Sequence, residues 1–195
     1  PYAPESTGQG SLACMYELQE MLKDVTGMKA VSLTPLAGAQ APPGAVPPPD
    51  VEIALTAEPA ESAILPGAST RVWRYSAKVL RGPSSVVQAI PGSYLGPVIR
   101  LRRGQRVRIR FLNQLGERSI VHWHGLEVPE LADGHPRLAV DDGREYVYDF
   151  EVVNRAGTYW YHPHPHQRTG AQVNQGLAGL LLVADSEEDA LGLPS

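Results

Sequence analysis

One cysteine, Cys14, stands in a chain of 195 residues, so neither an internal disulfide nor a cysteine-based zinc cluster can form. Long apolar runs are also missing: none approaches the ~20 residues that a helix needs to cross a bilayer. Clustered positive charge is absent as well. The formal net charge is −4 and no predicted helix or loop gathers the basic residues, which argues against nucleic acid and anionic membranes as partners. The chain starts at Pro1, with no charged n-region and no apolar h-region. The expectation is that any export signal was removed or never existed, which leaves location open on these grounds.

What is present suits one main folding unit with extra segments, and the length hardly allows two full domains. With 19 Gly and 18 Pro, the composition favours a loop-rich, all-β construction over a helix bundle. The first 49 residues differ from the rest. Leu12, Met15, Leu18, Met21, Leu22 and Val25 recur at helical spacing between Gly10-Ser11 and Gly27, predicting a short amphipathic helix over about 11–26 whose apolar stripe buries area. Residues 34–49 turn to Pro, Ala and Gly, including Pro42-Pro43 and Pro47-Pro48-Pro49, and predict a linker or an extended surface strap.

From Asp50 onward, short segments rich in Val, Ile, Tyr and Trp alternate with Gly and Pro turns. They predict strands near 51–57, 71–80, 97–101, 106–112, 119–126, 145–152, 157–162 and 177–183. In 106–111 the alternation is strict: Val107, Ile109 and Phe111 share one face, and Arg106, Arg108 and Arg110 share the other as a solvated strand face. Many short strands without helical patterns between them predict an antiparallel sandwich or barrel. Beyond Ala184 the chain is acidic and reads, over 186–195, as the start of a connection to something else.

The histidines carry the chemistry. Five of six fall in two clusters, His122-Trp123-His124-Gly125 and His162-Pro163-His164-Pro165-His166. Residues two apart on a strand project from one face, so each His-X-His pair can aim two imidazoles into the same space. Two such strands side by side bring four neutral nitrogen donors together, a set that suits copper, zinc, iron or nickel. His166 lies past the strand pair and reads as a surface or supporting group; His135, in a loop after Asp133-Gly134, reads as solvent-facing. Trp123 and Trp160 read as packing groups that form a dry wall beside the ligands.

These residues resemble the two N-terminal copper motifs of the laccase-type multicopper oxidases. The match runs through His122-Trp123-His124-Gly125 with Asp133-Gly134, then Gly157-Thr158-Tyr159-Trp160-Tyr161-His162-Pro163-His164 with Gly176-Leu177-Ala178-Gly179. Gly96-Pro97-Val98-Ile99-Arg100 and Arg103-Gly104 resemble the strand that leads into the first motif. The resemblance covers about residues 50–186. It implies a Greek-key cupredoxin-like β-sandwich over 50–185, preceded by the helical and Pro-rich extension 1–49. It also implies that His122 binds the type 2 copper, that His124 and His162 share one type 3 copper, and that His164 binds the other. Asp133 matches an acidic position that assists proton delivery during oxygen reduction in the family; an Asp capping the turn before glycine is the reading its own neighbours support.

That family completes its trinuclear cluster with two more His-X-His motifs from a C-terminal domain and takes electrons through a type 1 copper bound by Cys and His. Cys14 has no neighbouring His, so the resemblance implies half a site, completed by a C-terminal domain or second chain, with dioxygen and a small reducing substrate as reactants. The family's substrate pocket lies by the type 1 copper, outside this half, so phenols, metal ions such as Cu(I) or Mn(II), and bilirubin-like pigments all stay open as the reducing substrate. A periplasmic or secreted location goes with the family. Two other classes remain beside the oxidase: an orphan cupredoxin-like module holding one copper or zinc ion, and a zinc hydrolase with Asp133 as its base.

Overall fold

The computed structural model describes residues 16–18, 20–21 and 48–192, and the chain divides into two units, residues 1–40 and 41–195. In the first, residues 16–18, 20 and 21 are helical, within the predicted helix; the rest of that helix and residues 34–47 of the Pro-rich stretch lie outside the described residues. No helix among the described residues is long and apolar enough to cross a membrane.

The described residues of the second unit hold nine strands in two sheets. They are β1 (Val51–Ser62), β2 (Thr70–Arg81), β3 (Val87–Gln88), β4 (Val98–Arg102), β5 (Arg106–Asn113), β6 (Val121–His124), β7 (Glu145–Glu151), β8 (Gly157–Pro163) and β9 (Gly179–Ala184). One sheet has the order β2-β1-β5-β7 and the other β3-β4-β9-β8-β6. Alternation sets the inner faces. Val51, Ile53 and Leu55 of β1 and Val107, Ile109 and Phe111 of β5 meet Ile99, Leu101, Trp123, Tyr161, Leu181 and Val183 of the other sheet in a single apolar cluster.

Eight of these strands coincide with the predicted segments; β3, two residues long, was too short to carry a pattern. The expected all-antiparallel pairing needs correction, because β1 pairs β5 in parallel and so does β4 with β9. Alternation reports which face is buried, not which way a neighbour runs. The arginine face of β5 is also not simply solvated. Arg106 and Arg108 both bind Asp149 of β7, at 2.5 and 2.6 Å, while Arg110 binds Glu52 of β1 at 2.7 Å.

Where the sheets close around β8, glycine is required. Tyr161, fully buried, donates from its hydroxyl to Pro97 O at 2.7 Å, and its ring lies over Gly179 and Gly96. A Cβ on Gly179 would stand 2.1 Å from the Tyr161 ring. Pro163 ends β8 opposite Val121, and the ladder with β9 has already stopped at Tyr161–Gly179, so its missing amide hydrogen leaves no ladder bond unmade. Gly179→Ala is expected to overpack this socket and to lower stability by about 1–3 kcal/mol, read from the urea midpoint; an unchanged midpoint would mean that the Tyr161 ring has room to shift.

Candidate metal centre

Strand β6 is the edge strand of its sheet, and β8 is its antiparallel neighbour, with His122 opposite His162 and His124 opposite Trp160. Val121 and Trp123 point into the core, so His122 and His124 project from the outer face of the same strand. On β8 the buried Tyr161 alternates with Trp160 and His162 in the same way. The local sequence thus makes one sheet edge apolar inside and imidazole-bearing outside.

Three of the four predicted ligands, His122, His124 and His162, bring one ring nitrogen each within 4.8 Å of the others. The fourth, His164, stands outside that set but beside it, its ring 5.3 Å from His122 and 6.0 Å from His162. The Nδ1 of His164 is buried and has no hydrogen-bond partner among the described residues. Main-chain carbonyls fix two of the rings. His122 Nδ1 donates to Asp133 O at 2.7 Å and His162 Nδ1 donates to Pro163 O at 2.9 Å, which leaves Nε2 of each ring as the lone-pair nitrogen. His124 differs, because its Nδ1 faces His162 Nε2 at 3.2 Å. Two nitrogens bound to one metal ion at ~2.0–2.1 Å in a tetrahedral angle stand about 3.3 Å apart, so this separation matches a shared ion as well as it matches a hydrogen bond.

Burial pushes the His162 imidazole below its usual range, and the neighbouring His122, His124 and His164 rings push the same way, against the Pro163 carbonyl. That direction favours the neutral ring, the form that binds metal.

Asp133 reaches the site chiefly through its main chain. Its carbonyl holds His122, while its carboxylate, partly exposed, lies 3.4 Å from the same Nδ1. The turn is held close by Gly134, whose φ is +80° and where a Cβ would stand 1.9 Å from Val121 O. That steric requirement was not legible in the sequence beyond the Asp-Gly pair itself. His166 is exposed and outside the cluster. His135 is half-buried rather than solvent-facing, and its Nδ1 accepts from Arg137 N at 3.2 Å to cap the turn Pro136–Leu138. Trp123 is not beside the ligands: it is fully buried on the core side of β6, against Tyr148, Phe150 and Tyr161. Trp160 alone lies with the imidazoles, its ring 4.1 Å from His162 and 5.1 Å from His124.

A two-sheet sandwich with a histidine cluster on its edge strand and that strand's neighbour, joined by no cysteine or carboxylate among the described residues, defines a cupredoxin-like metal-binding domain. The model of the multicopper oxidase family matches residues 72–188, and the chain belongs to that family. It is 43% identical over 98 residues to the multicopper oxidase mco of Staphylococcus aureus, a match that covers 50% of this chain and 22% of that protein. Among solved structures it is similar to the McoA multicopper oxidase of the hyperthermophile Aquifex aeolicus, with 42% identity and a TM-score of 0.62 over 74% of this chain and 29% of the other. A laccase of Pediococcus acidilactici superposes with a TM-score of 0.65 at 32% identity, covering 86% of this chain and 34% of that one. The chain thus spans between a fifth and a third of the length of these relatives.

Membership of the family implies copper, and the donor set fits it: converging imidazoles and, on His164, a buried nitrogen that no group among the described residues satisfies. His124→Ala or His162→Ala is expected to lower copper content severely while circular dichroism stays native, because an outer-face ligand contributes little to the core. His166→Ala should be far milder; equal losses in all three would mean that the second motif is assigned wrongly. Gly134→Ala removes no ligand, yet is expected to weaken copper binding about tenfold by displacing the Asp133 carbonyl from His122, measured by competition against a chelator; unaltered affinity would show that the carbonyl does not orient the ring.

Proposed function

We propose that this chain is the N-terminal part of a laccase-type oxidase that couples one-electron oxidation of a reducing substrate to four-electron reduction of dioxygen to water. The observation that carries the proposal is the convergence of three imidazole nitrogens within 4.8 Å on an outward-facing sheet edge, with His164 beside them, in a chain of the multicopper oxidase family. Copper, when bound, supplies the redox chemistry and the site for dioxygen.

The chain supplies geometry. His122 presents Nε2 to the type 2 position, its tautomer set by the Asp133 carbonyl. His124, through Nδ1, and His162, through Nε2, face one type 3 position together. His164 serves the other type 3 position, which accounts for its place outside the tighter trio. The Asp133 carboxylate, open to solvent and next to the His122 ring, holds and passes protons at the rim of the site.

In this reading residues 1–49 form an extension, 50–185 the cupredoxin domain, and 186–195 the start of a link to a C-terminal domain or second chain. That partner brings the remaining His-X-His motifs and the type 1 copper, for which Cys14 has no adjacent His. The reducing substrate binds there, and the enzyme works in the periplasm or outside the cell.

Residues 1–195 alone, loaded with copper and given an easily oxidised phenol, are expected to show no sustained oxygen uptake, and to gain it when the C-terminal portion is added. Sustained reduction of dioxygen to water by the isolated chain would overturn the half-site reading. One bound copper and no turnover even with the partner present would favour an orphan copper-binding module.

A further inference from the structure

We infer that Trp160 is a positioning residue for the copper ligands, holding His124 and His162 as a facing pair by lying against both rings. The inference rests on the reading of these two histidines as ligands of one copper. Its ground is a difference among the clustered imidazoles. His122 is tied through Nδ1 to the Asp133 carbonyl and His162 through Nδ1 to the Pro163 carbonyl. Among the described residues no carbonyl or carboxylate accepts from His124, whose only ring-nitrogen contact is His162 itself. His124 is also the exposed member of the trio, so packing does not confine it from the solvent side.

Trp160 supplies the missing restraint. It stands directly opposite His124 in the β6–β8 register and two residues before His162 on β8, so both rings flank it on one sheet face. Its indole is inclined 33° to His162 and 34° to His124, with centroids 4.1 and 5.1 Å away, so it makes close, tilted ring contacts with both imidazoles. A ring swinging about χ1 of His124 would have to leave that surface. The indole is 37% exposed and stands on the outer face beside Leu180 of β9, outside the buried core that stabilises the sandwich. Its role is thus separable from folding. Trp123, of the same residue type and one position from both first-motif histidines, cannot substitute, because it points into the core.

The test uses the 195-residue chain with Trp160→Ala, Trp160→Leu and Trp160→Phe, beside His124→Ala and His162→Ala. Cu(II) affinity is measured by competition, the copper spectrum by electron paramagnetic resonance, and the metal-free imidazoles by nitrogen-15 NMR of labelled histidine. Trp160→Ala and Trp160→Leu are expected to lose about tenfold in affinity, with altered copper hyperfine splitting and averaged His124 ring signals. Trp160→Phe, which keeps a stacking face, should stay within about threefold of the parent with parent-like spectra. The Leu and Phe variants, both bulky and apolar, keep the comparison informative if the Ala variant folds poorly. Parent-like affinity and spectra in Trp160→Leu, with copper lost in His124→Ala, would overturn the positioning role alone. Undiminished copper binding in His124→Ala and His162→Ala would remove the ligand reading and this inference with it.

Discussion

The pairing of β6 with β8 in the register that sets His122 against His162 is the constraint on which the rest of the structure depends. In that register Trp123 and Tyr161 enter the core together, and the imidazoles leave it together. A slip of one residue on either strand would invert the arrangement, placing imidazoles among aliphatic side chains and an indole in water. The core therefore defends the site. Trp123 packs edge-on against Tyr148 at 5.1 Å, Tyr148 OH accepts from Val121 N at 2.8 Å, and Tyr161 is locked over Gly179 and Gly96. Each of these contacts fixes the strand from inside and so sets where its imidazoles stand outside.

The main chain does much of the aiming. Carbonyls of Asp133 and Pro163 select the tautomers of His122 and His162, and His164 N donates to Ile120 O at 2.9 Å, which carries the chain past β8 without losing contact with β6. The stretch that follows is anchored by the fully buried Gln172 of the short helix Thr169–Asn174. It accepts from Ser119 Oγ and donates to Glu117 and to Arg118 O, so the segment after the second motif is bound to the segment before the first. Imidazoles held by main-chain carbonyls, as in His122 and His162, have their orientation set by the fold itself.

The two outer faces of the sandwich differ in chemistry. Over β5 and its neighbours, Arg106, Arg108 and Arg110 meet Asp149 and Glu52, a ladder of half-exposed pairs that contributes little to stability and keeps that face wetted. Over β8 and β9 the outward residues near the cluster include Trp160 and Leu180, both partly exposed, beside the imidazoles of His122, His124 and His162. The sandwich thus carries a polar surface on one side and an aromatic and imidazole surface on the other.

The sequence by itself determined the periodicities and hence the faces. Strict alternation in 106–111 placed Val107, Ile109 and Phe111 inside, and the His-X-His spacing in the first motif placed His122 and His124 on one face of β6, because a period of two is a property of the extended chain. Tertiary structure decided whatever depends on a neighbour that sequence does not name. It set β1 parallel to β5 and β4 parallel to β9, since alternation is blind to direction. It sorted the two tryptophans, which the sequence could only group, into a core residue and a companion of the ligands, since one residue of register decides the face. It moved His135 into a turn and brought Asp133 to the cluster through its carbonyl, because the close approach of Gly134 to Val121 brings that oxygen to His122. Donor types are local and written in the chain; the direction in which each lone pair points is set by backbone atoms from distant segments, and only the folded arrangement brings those into place.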